Sequence, residues 1–147
     1  MSELISVTIT RQDHYKFLVD FGGSMAKPVA DLPPPLGESA GPSPEHLLAA
    51  AVANCMASSF LFAHAKYKED PGKLSTTVSC EIGRNDKNRV RVTKLNIAIT
   101  LGVEPETLGH LERTLANFED FCTVSQSVQA GIPLNVTVKA PDGRVLK

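Results

Sequence analysis

Residues 41–67 read GPSPEHLLAAAVANCMASSFLFAHAKY, and this stretch decides the fold. Ser43 can cap a helix with its side-chain oxygen, Pro44 suits the first helical position, and Glu45 meets the positive end of the helix dipole. No polar residue follows between residues 47 and 53, so no face of those two turns is adapted to water. The pattern therefore predicts a long helix that is covered by protein on every side.

The composition indicates a single soluble domain. A chain of 147 residues can bury about two thirds of its unfolded surface without a disulfide scaffold. The net charge is -1 and no basic block occurs, which argues against nucleic acid or an anionic membrane surface as a partner. The apolar part of the helix is too short for a membrane span, since Asn54, Ser58 and His64 interrupt its continuation.

The cysteine count and the amino terminus favour the cytoplasm. The chain contains three cysteines, an odd number that does not suit a disulfide framework. Its first residues, MSELISVTIT, lack the basic and long apolar regions of a signal peptide. We therefore expect a reducing compartment, where cysteines are free thiols unless chemistry uses them.

Hydrophobic periodicity predicts the remaining elements within one domain, 1–147. They are an amino-terminal hairpin (3–21) that turns at Arg11 to His14, a Pro/Gly-rich loop (22–43), the cysteine helix (44–67), a second hairpin (74–101), a helix (105–118), and a short helix with a last strand (122–139). A phase slip in the second hairpin predicts a β-bulge near Thr93 and Lys94. This order indicates an α+β fold with antiparallel sheets around a long buried central helix.

Two apolar patterns identify the inward faces. In the first strand of the second hairpin, alternate residues should point into the core: Leu74, Thr76, Val78, Cys80 and Ile82. In the helix at 105–118, one stripe should do so: Leu108, Leu111, Leu115 and Phe118. The cysteine helix is harder to cover within one small chain, which favours a homodimer with that helix at or near the interface.

The three cysteines differ in their setting. Cys80 is expected to fill the core, as most free cysteines do. Cys122 precedes Thr-Val-Ser at a predicted helix start, where free N–H groups would lower the pKa of its thiol. Cys55 lies in the middle of a helix, so its activation requires groups from other segments. On composition alone, the favoured interpretation of Cys55 and Cys122 is two small buried hydrophobes, as free cysteines usually are.

Other kinds of site are not predicted. The four histidines lack the one-turn pairing of a helical zinc site, so no metal is expected. The glycines match no phosphate-binding fingerprint, which argues against a nucleotide or another cofactor. Ser58 and Ser59 fit no nucleophile-elbow pattern, and their hydroxyls are expected to bond back to helix carbonyls.

Two motifs together carry a family resemblance. GPSPEHLLAAAVANC, with Glu45 ten positions before Cys55, and the later CTVSQSV that begins at Cys122, resemble the osmotically inducible protein C (OsmC) and organic hydroperoxide resistance (Ohr) family. The similarity covers most of the chain in element order. The stretch DLPPPLGESAGPSPEHLL is closer to the uncharacterised OsmC-like branch. The resemblance implies an intertwined α+β homodimer with the cysteine helices buried between the sheets.

The resemblance also implies a chemistry. In the peroxidase members, the cysteine matching Cys55 attacks an organic hydroperoxide and becomes a sulfenic acid, and the one matching Cys122 resolves it as a disulfide. A dithiol reductant, lipoyl or a thioredoxin-like protein, then restores both thiols. The glutamate matching Glu45 pairs with an arginine that polarises the thiol and the peroxide. The function implied is oxidative or osmotic stress defence.

The arginine is where this sequence departs from the family. The loop 22–43 contains none, and Arg11 is the single candidate in the first half of the chain. Arg11 is open to two interpretations, a site cation or an ordinary solvated turn residue. His46 and Thr123 also depart from the peroxidase pattern, which often has an acidic or polar residue at the first position and a proline at the second.

Two functions from different classes follow. The first is a cysteine-based peroxidase that reduces organic, fatty-acid type hydroperoxides through Cys55 and Cys122, with Glu45 and Arg11 tuning the site. The second is a non-enzymatic dimeric protein that binds a small apolar ligand, or a redox sensor that has lost peroxidase activity. The chemistry of the first is coherent because a thiolate attacks the O–O bond and a cation stabilises the developing negative charge.

Overall fold

The computed structural model describes residues 2–147 and has two sheets and three α-helices within that range, which confirms the α+β class. The chain divides into two compact units. The first ends at Leu48 and the second is Ala49–Lys147. Each unit is described by itself below.

The first unit contains a three-stranded antiparallel sheet in the order β1-β2-β3. Its strands are β1 (Thr8–Asp13), β2 (Lys16–Asp20) and β3 (Val29–Ala30). The predicted hairpin is present, but its turn is tighter than expected and lies at His14 and Tyr15. Arg11 therefore belongs to β1, opposite Phe17, and the prediction that placed it in the turn was wrong. The polar sequence suggested a longer turn because β1 is exposed on both faces.

The Pro/Gly-rich loop is ordered by one buried carboxylate. Asp31 is 3% exposed and accepts hydrogen bonds from the backbone N–H groups of Ala40 (3.0 Å), Glu38 (3.0 Å) and Leu32 (2.8 Å). These bonds, with the one from Ala40 first, hold the pKa of Asp31 below its ordinary value. Gly41 closes the loop against Val29, whose carbonyl leaves no room for a side chain. The loop predicted at 22–43 therefore contains one short strand, β3, and these contacts fix the backbone on its carboxyl-terminal side.

Helix α1 (Pro44–Ala65) begins as predicted. The hydroxyl of Ser43 accepts a hydrogen bond from the backbone N–H of His46 at 3.3 Å, and the Nδ1 atom of His46 accepts one from the backbone N–H of Ser43 at 3.1 Å. This is a capping box in which histidine replaces the usual glutamate. The arrangement explains why His46, a departure from the peroxidase pattern, suits this position.

The second unit contains a sheet in the order β4-β5-β6. Its strands are β4 (Ser75–Arg84), β5 (Val90–Thr100) and β6 (Leu134–Lys139). The pairing of β4 with β5 shifts register at Thr93, so the predicted bulge is confirmed. β6 runs parallel to β5, not antiparallel as predicted. The helical segment between these strands carries the chain back to the starting end of β5, and such a crossover produces a parallel pair.

The segment predicted as one helix, 105–118, is broken. It forms a 3₁₀ helix (Pro105–Thr107), helix α2 (Leu111–Asn117) and a second 3₁₀ helix (Phe118–Phe121), followed by α3 (Thr123–Val128). The carboxylate of Glu69 accepts a hydrogen bond from the backbone N–H of His110 at 3.0 Å, which a continuous helix would have used internally. The apolar stripe still faces the core, with Leu108 and Phe118 buried.

The core of the second unit lies between α1 and the sheet. From α1 it includes Val52, Met56, Phe60 and Ala63, and from the strands it includes Leu95, Ile97, Ile99 and Val138. Of the predicted inward face of β4, Leu74, Val78 and Cys80 pack against this core. Ile82 is 53% exposed because it lies past the bulge, so its prediction was wrong.

Helix α1 departs from the prediction in two ways. Within residues 2–147 it is buried along one stripe and not on every side, since Leu61 and Phe62 are exposed. Its 22 residues are also long and apolar enough to meet the length and composition test for a membrane span. The argument from shortness was therefore wrong, although the core helix of a soluble protein passes the same test.

Candidate redox site

Two of the three cysteines meet in the second unit. Cys55 lies in the middle of α1 and Cys122 lies at the residue before α3. The backbone N–H of Val124, two residues after Cys122, reaches the Cys55 sulfur, and the two thiols are close enough for Cys55 to raise the pKa of Cys122. Both pack in the core cluster, where Cys122 is fully buried and Cys55 is partly buried. All three cysteines are in the free thiol form. Tertiary folding thus brings together two sulfur atoms that are distant in sequence.

The start of α3 acts on Cys55 rather than on Cys122. The backbone N–H of Val124 donates a hydrogen bond to the Cys55 sulfur at a distance of 3.4 Å. A backbone N–H that donates to sulfur stabilises negative charge that develops there during a reaction. This is the group from another segment that a mid-helix cysteine requires.

The pKa predicted for Cys122 was wrong in direction. Burial raises the pKa of this thiol above its ordinary value, and contact with Cys55 raises it further, while Ser125 opposes both effects. Cys122 occupies the N-cap position, and its sulfur lies among apolar side chains. Local sequence showed the helix start but could not show how completely the thiol is shielded from water. The Cys55 sulfur thus accepts a backbone N–H bond, whereas burial favours the protonated thiol of Cys122.

Sequence reasoning missed Ser125. Its hydroxyl lies 2.8 Å from the Cys122 sulfur and accepts a hydrogen bond from the thiol. Ser125 is itself buried, so this bond is shielded from water. The signal in the sequence was the spacing of three residues across a helix start, where side chains face each other.

Glu45 and Arg11, the other predicted site residues, belong to the first unit. Glu45 lies exposed in the first turn of α1. The Nε atom of Arg11 donates a hydrogen bond to the backbone oxygen of His14 at 2.8 Å, which directs this side chain along the hairpin turn. Within residues 49–147, the hydrogen bonds of the two sulfur atoms involve no lysine or arginine side chain. The roles predicted for Glu45 and Arg11 stay predictions.

Cys80 has a different environment from the other two thiols. It lies on β4 opposite Leu95 and packs, partly buried, against the core of the second unit. This placement agrees with its predicted role as core filler.

Two of the histidines converge where sequence predicted none to do so. The carboxylate of Glu69 lies 2.7 Å from Nδ1 of His110 and 3.2 Å from Nδ1 of the buried His64. The hydrogen bond from His110 comes first among the causes that hold the pKa of Glu69 below its ordinary value. The ring of Tyr67 stacks on that of His110 with centroids 4.0 Å apart. Among residues 2–147, no group of three or more His, Cys, Asp or Glu side chains has metal-binding geometry.

Comparison with known families identifies the fold. The model of the OsmC-like protein family matches residues 37–137, which include Cys55, Cys122 and Ser125. The chain belongs to the OsmC-like family. No curated protein matches the sequence at the significance required.

Solved structures of OsmC-like proteins share this fold. An OsmC-like protein from Mycoplasma pneumoniae superposes with a TM-score of 0.76 at 13% identity, covering 95% of this chain and 99% of its own. An OsmC-like protein of unknown function from Vibrio cholerae gives 0.74 at 22% identity, with 94% and 99% covered. An organic hydroperoxide resistance protein from Elizabethkingia anophelis gives 0.70 at 18% identity, with 95% and 99% covered. At these identities the similarity establishes the fold alone.

Proposed function

We propose that this OsmC-like protein is a thiol peroxidase that reduces organic hydroperoxides with Cys55 as the attacking residue and Cys122 as the resolving residue. The observation that carries the proposal is the proximity of the two thiols: the Cys55 sulfur accepts a hydrogen bond from the backbone N–H of Val124, two residues after Cys122, and Cys55 raises the pKa of Cys122. The organic hydroperoxide resistance proteins among its structural neighbours supply the substrate class.

The proposed reaction balances in three steps. The Cys55 thiolate attacks the terminal oxygen of the hydroperoxide, the O–O bond breaks, and the alkoxide takes a proton to leave as an alcohol. The resulting Cys55 sulfenic acid reacts with the Cys122 thiol, forming a disulfide and releasing water. A dithiol reductant, lipoyl or a thioredoxin-like protein, exchanges with the disulfide and restores both thiols.

The environment of Cys55 supports its assignment as the attacking residue. The Val124 N–H stabilises negative charge on its sulfur, whereas burial disfavours charge on Cys122. Cys55 also packs against the apolar core cluster. Apolar surroundings favour an alkyl hydroperoxide over hydrogen peroxide because the alkyl group is removed from water on binding.

Two further features are proposed for the protein, a cation at the reactive site and assembly as a homodimer. Arg11 supplies the cation that stabilises the leaving alkoxide, and Glu45 orients it. The chain works as a homodimer in the cytoplasm, with α1 near the interface. The exposed apolar residues Leu61 and Phe62 on α1 support this assembly, because a second subunit would remove them from water.

Substitution of the attacking residue tests the proposal. Cys55→Ser should reduce turnover of cumene hydroperoxide with dihydrolipoamide to background, because serine cannot form the sulfenic acid. The matched control is Cys80→Ser, which changes a core thiol on β4 and should leave turnover near the wild-type rate. Wild-type turnover that persists in Cys55→Ser would contradict the proposed function.

A specific observation favours the second function, binding of a small apolar ligand without chemistry. The first unit contains a groove of about 370 Å³ lined mainly by apolar side chains: Ile9, Tyr15, Phe17, Ala30, Leu32 and Leu47. Its size suits a small ligand. This function predicts that a fluorescent fatty acid binds equally well to the wild type and to Cys55→Ser/Cys122→Ser. Loss of binding in Ile9→Asp would place the ligand in this groove.

A further inference from the structure

The backbone conformation at the start of α3 brings the side chains of Cys122 and Ser125 into contact. Cys122 is the N-cap, and its carbonyl accepts the hydrogen bond from Gln126 that begins the helix, at 2.9 Å. The side chains of Cys122 and Ser125 therefore meet across one turn, and the Ser125 hydroxyl accepts the thiol hydrogen. Both side chains are at least 98% buried, so bulk water does not compete for this bond.

The direction of this bond matters for disulfide formation. A resolving thiol must attack with a sulfur lone pair and must lose its proton. Because the Cys122 hydrogen points to Ser125, the proton already has an acceptor other than Cys55. Burial raises the pKa of the Cys122 thiol, so free thiolate is scarce at neutral pH and a proton acceptor is required during the attack.

Ser125 also lines a polar pocket in the second unit. This pocket has a volume of about 270 Å³ and is bordered by Glu119, Gln126, Asn135 and Lys147. Glu119 and Lys147 form an ion pair at 3.2 Å. Such a volume holds several water molecules with polar partners. Ser125 thus contacts a buried thiol and also borders a pocket that suits water.

We propose that Ser125 is the catalytic hydroxyl of the resolving step: it takes the proton of Cys122 while Cys122 attacks the Cys55 sulfenic acid, and passes its own proton to water in the pocket. This inference rests on the proposed function for the sulfenic acid. The S–S bond forms and the S–O bond of the sulfenic acid breaks. The hydroxide that leaves takes up, through the water of the pocket, the proton that Ser125 released, so the net product is one water molecule. The Cys122 sulfur is oxidised and the Cys55 sulfur is reduced.

The test compares Ser125→Ala with Ser127→Ala in the full-length chain. Ser127 lies on the same short helix, and its hydroxyl donates a hydrogen bond to the carbonyl of Thr123, away from the cysteines. After addition of one equivalent of cumene hydroperoxide, dimedone trapping measures the Cys55 sulfenic acid and peptide mass measures the disulfide. Ser125→Ala should form the sulfenic acid at the wild-type rate but the disulfide at least about tenfold more slowly.

The pH dependence of the disulfide step distinguishes a role of Ser125 in proton transfer from a role in packing. The titratable groups around the hydrogen bond are Cys55 on α1, Glu119 in the preceding 3₁₀ helix and Lys147 at the carboxyl end. In Ser125→Ala the disulfide step should become steeply dependent on hydroxide, rising about tenfold per pH unit below the pKa of Cys122. The wild type and Ser127→Ala should show a shallower dependence.

Diamide distinguishes failure of this inference from failure of the proposed function. The Cys55 thiolate adds to the N=N bond of diamide. The Cys122 sulfur then attacks the Cys55 sulfur and displaces the hydrazine, which forms the same disulfide without any peroxide. Slow closure in Ser125→Ala supports the role of Ser125 even where hydroperoxide does not oxidise Cys55, an outcome that would overturn the peroxidase alone. Closure at the wild-type rate and pH profile in Ser125→Ala, with either oxidant, overturns the inference.

Discussion

Each of the two units of this chain is stabilised by a different kind of interaction. In the second unit, α1 packs large side chains such as Met56 and Phe60 against the sheet and leaves them fully buried. In the first unit the main buried groups are Val19 and the polar Asp31 and Ser43, which organise backbone N–H groups. Its apolar side chains stay exposed, as Ile9 is at 58%. Burial of apolar area stabilises one unit, and hydrogen bonds shape the other.

The residues proposed to take part in the reaction are also divided between the two units. Both thiols of the candidate redox site and the hydroxyl of Ser125 lie in the second unit, where the two cysteines pack in the core cluster. The two charged residues proposed to assist them, Glu45 and Arg11, lie on the first unit. The proposed roles of Glu45 and Arg11 therefore need a test separate from that of the two cysteines.

The largest expected effect on stability is in the core of the second unit. Phe60→Ala should lower the free energy of unfolding by about 3–5 kcal/mol, because it leaves a cavity beside Phe118 and His64. Ile9→Ala in the first unit should cost about 0.5 kcal/mol or less. Urea unfolding of both variants, at a concentration where the chain is monomeric, measures the difference. Similar costs at the two positions would remove the distinction between the units.

A smaller effect, on catalytic efficiency, is expected when Arg11 of the first unit is replaced. Arg11→Ala should lower kcat/KM for cumene hydroperoxide by about tenfold or more, because the guanidinium no longer stabilises the leaving alkoxide. The control is Arg91→Ala, which removes another exposed strand arginine that bonds to a backbone carbonyl. Steady-state kinetics on both variants checks this. Equal rates in the wild type, Arg11→Ala and Arg91→Ala would leave Arg11 as an ordinary surface residue.

The smallest effect is expected at Asp31 and is local to the first unit. The folded pKa of Asp31 is below its unfolded value, so its carboxylate stabilises the loop above the unfolded pKa of about 4. That stabilisation is lost as the pH falls through the folded pKa. At neutral pH, Asp31→Asn should speed amide hydrogen exchange at Glu38 and Ala40, up to about tenfold.

Hydrogen exchange followed by NMR measures this loop directly. The control is Asp20→Asn, since the Asp20 carboxylate accepts a hydrogen bond from the Gly22 N–H two residues away. That variant should leave exchange at Glu38 and Ala40 unchanged. Unchanged exchange in Asp31→Asn would show that the loop is held by other contacts.

Local rules predicted the features that depend on neighbours in sequence. The cap at Ser43 and the bulge at Thr93 follow from side-chain chemistry and strand phase over a few residues, and the structure confirms both. The apolar stripe that contains Leu108 and Phe118 also reaches the core, although the helix around it is broken. Hydrophobic periodicity therefore predicts the buried side chains more reliably than it predicts whether a helix is continuous.

Features that depend on distant segments could not be predicted in this way. The pKa of Cys122 is raised by a core that assembles from α1, β5 and β6, and no local pattern shows that burial. The break before α2 depends on Glu69, which comes from a different part of the chain. The parallel pairing of β6 was likewise missed because sequence showed a last strand without its direction.

The central claim is that Cys55 and Cys122 form a redox pair, and mapping of their oxidation tests it most directly. The reduced protein is treated with one equivalent of cumene hydroperoxide, quenched with an alkylating agent and analysed by peptide mass. We predict rapid formation of a disulfide between Cys55 and Cys122, with Cys80 recovered in the alkylated form. Recovery of all three cysteines as alkylated thiols, or oxidation no faster than in the unfolded chain, would contradict the claim.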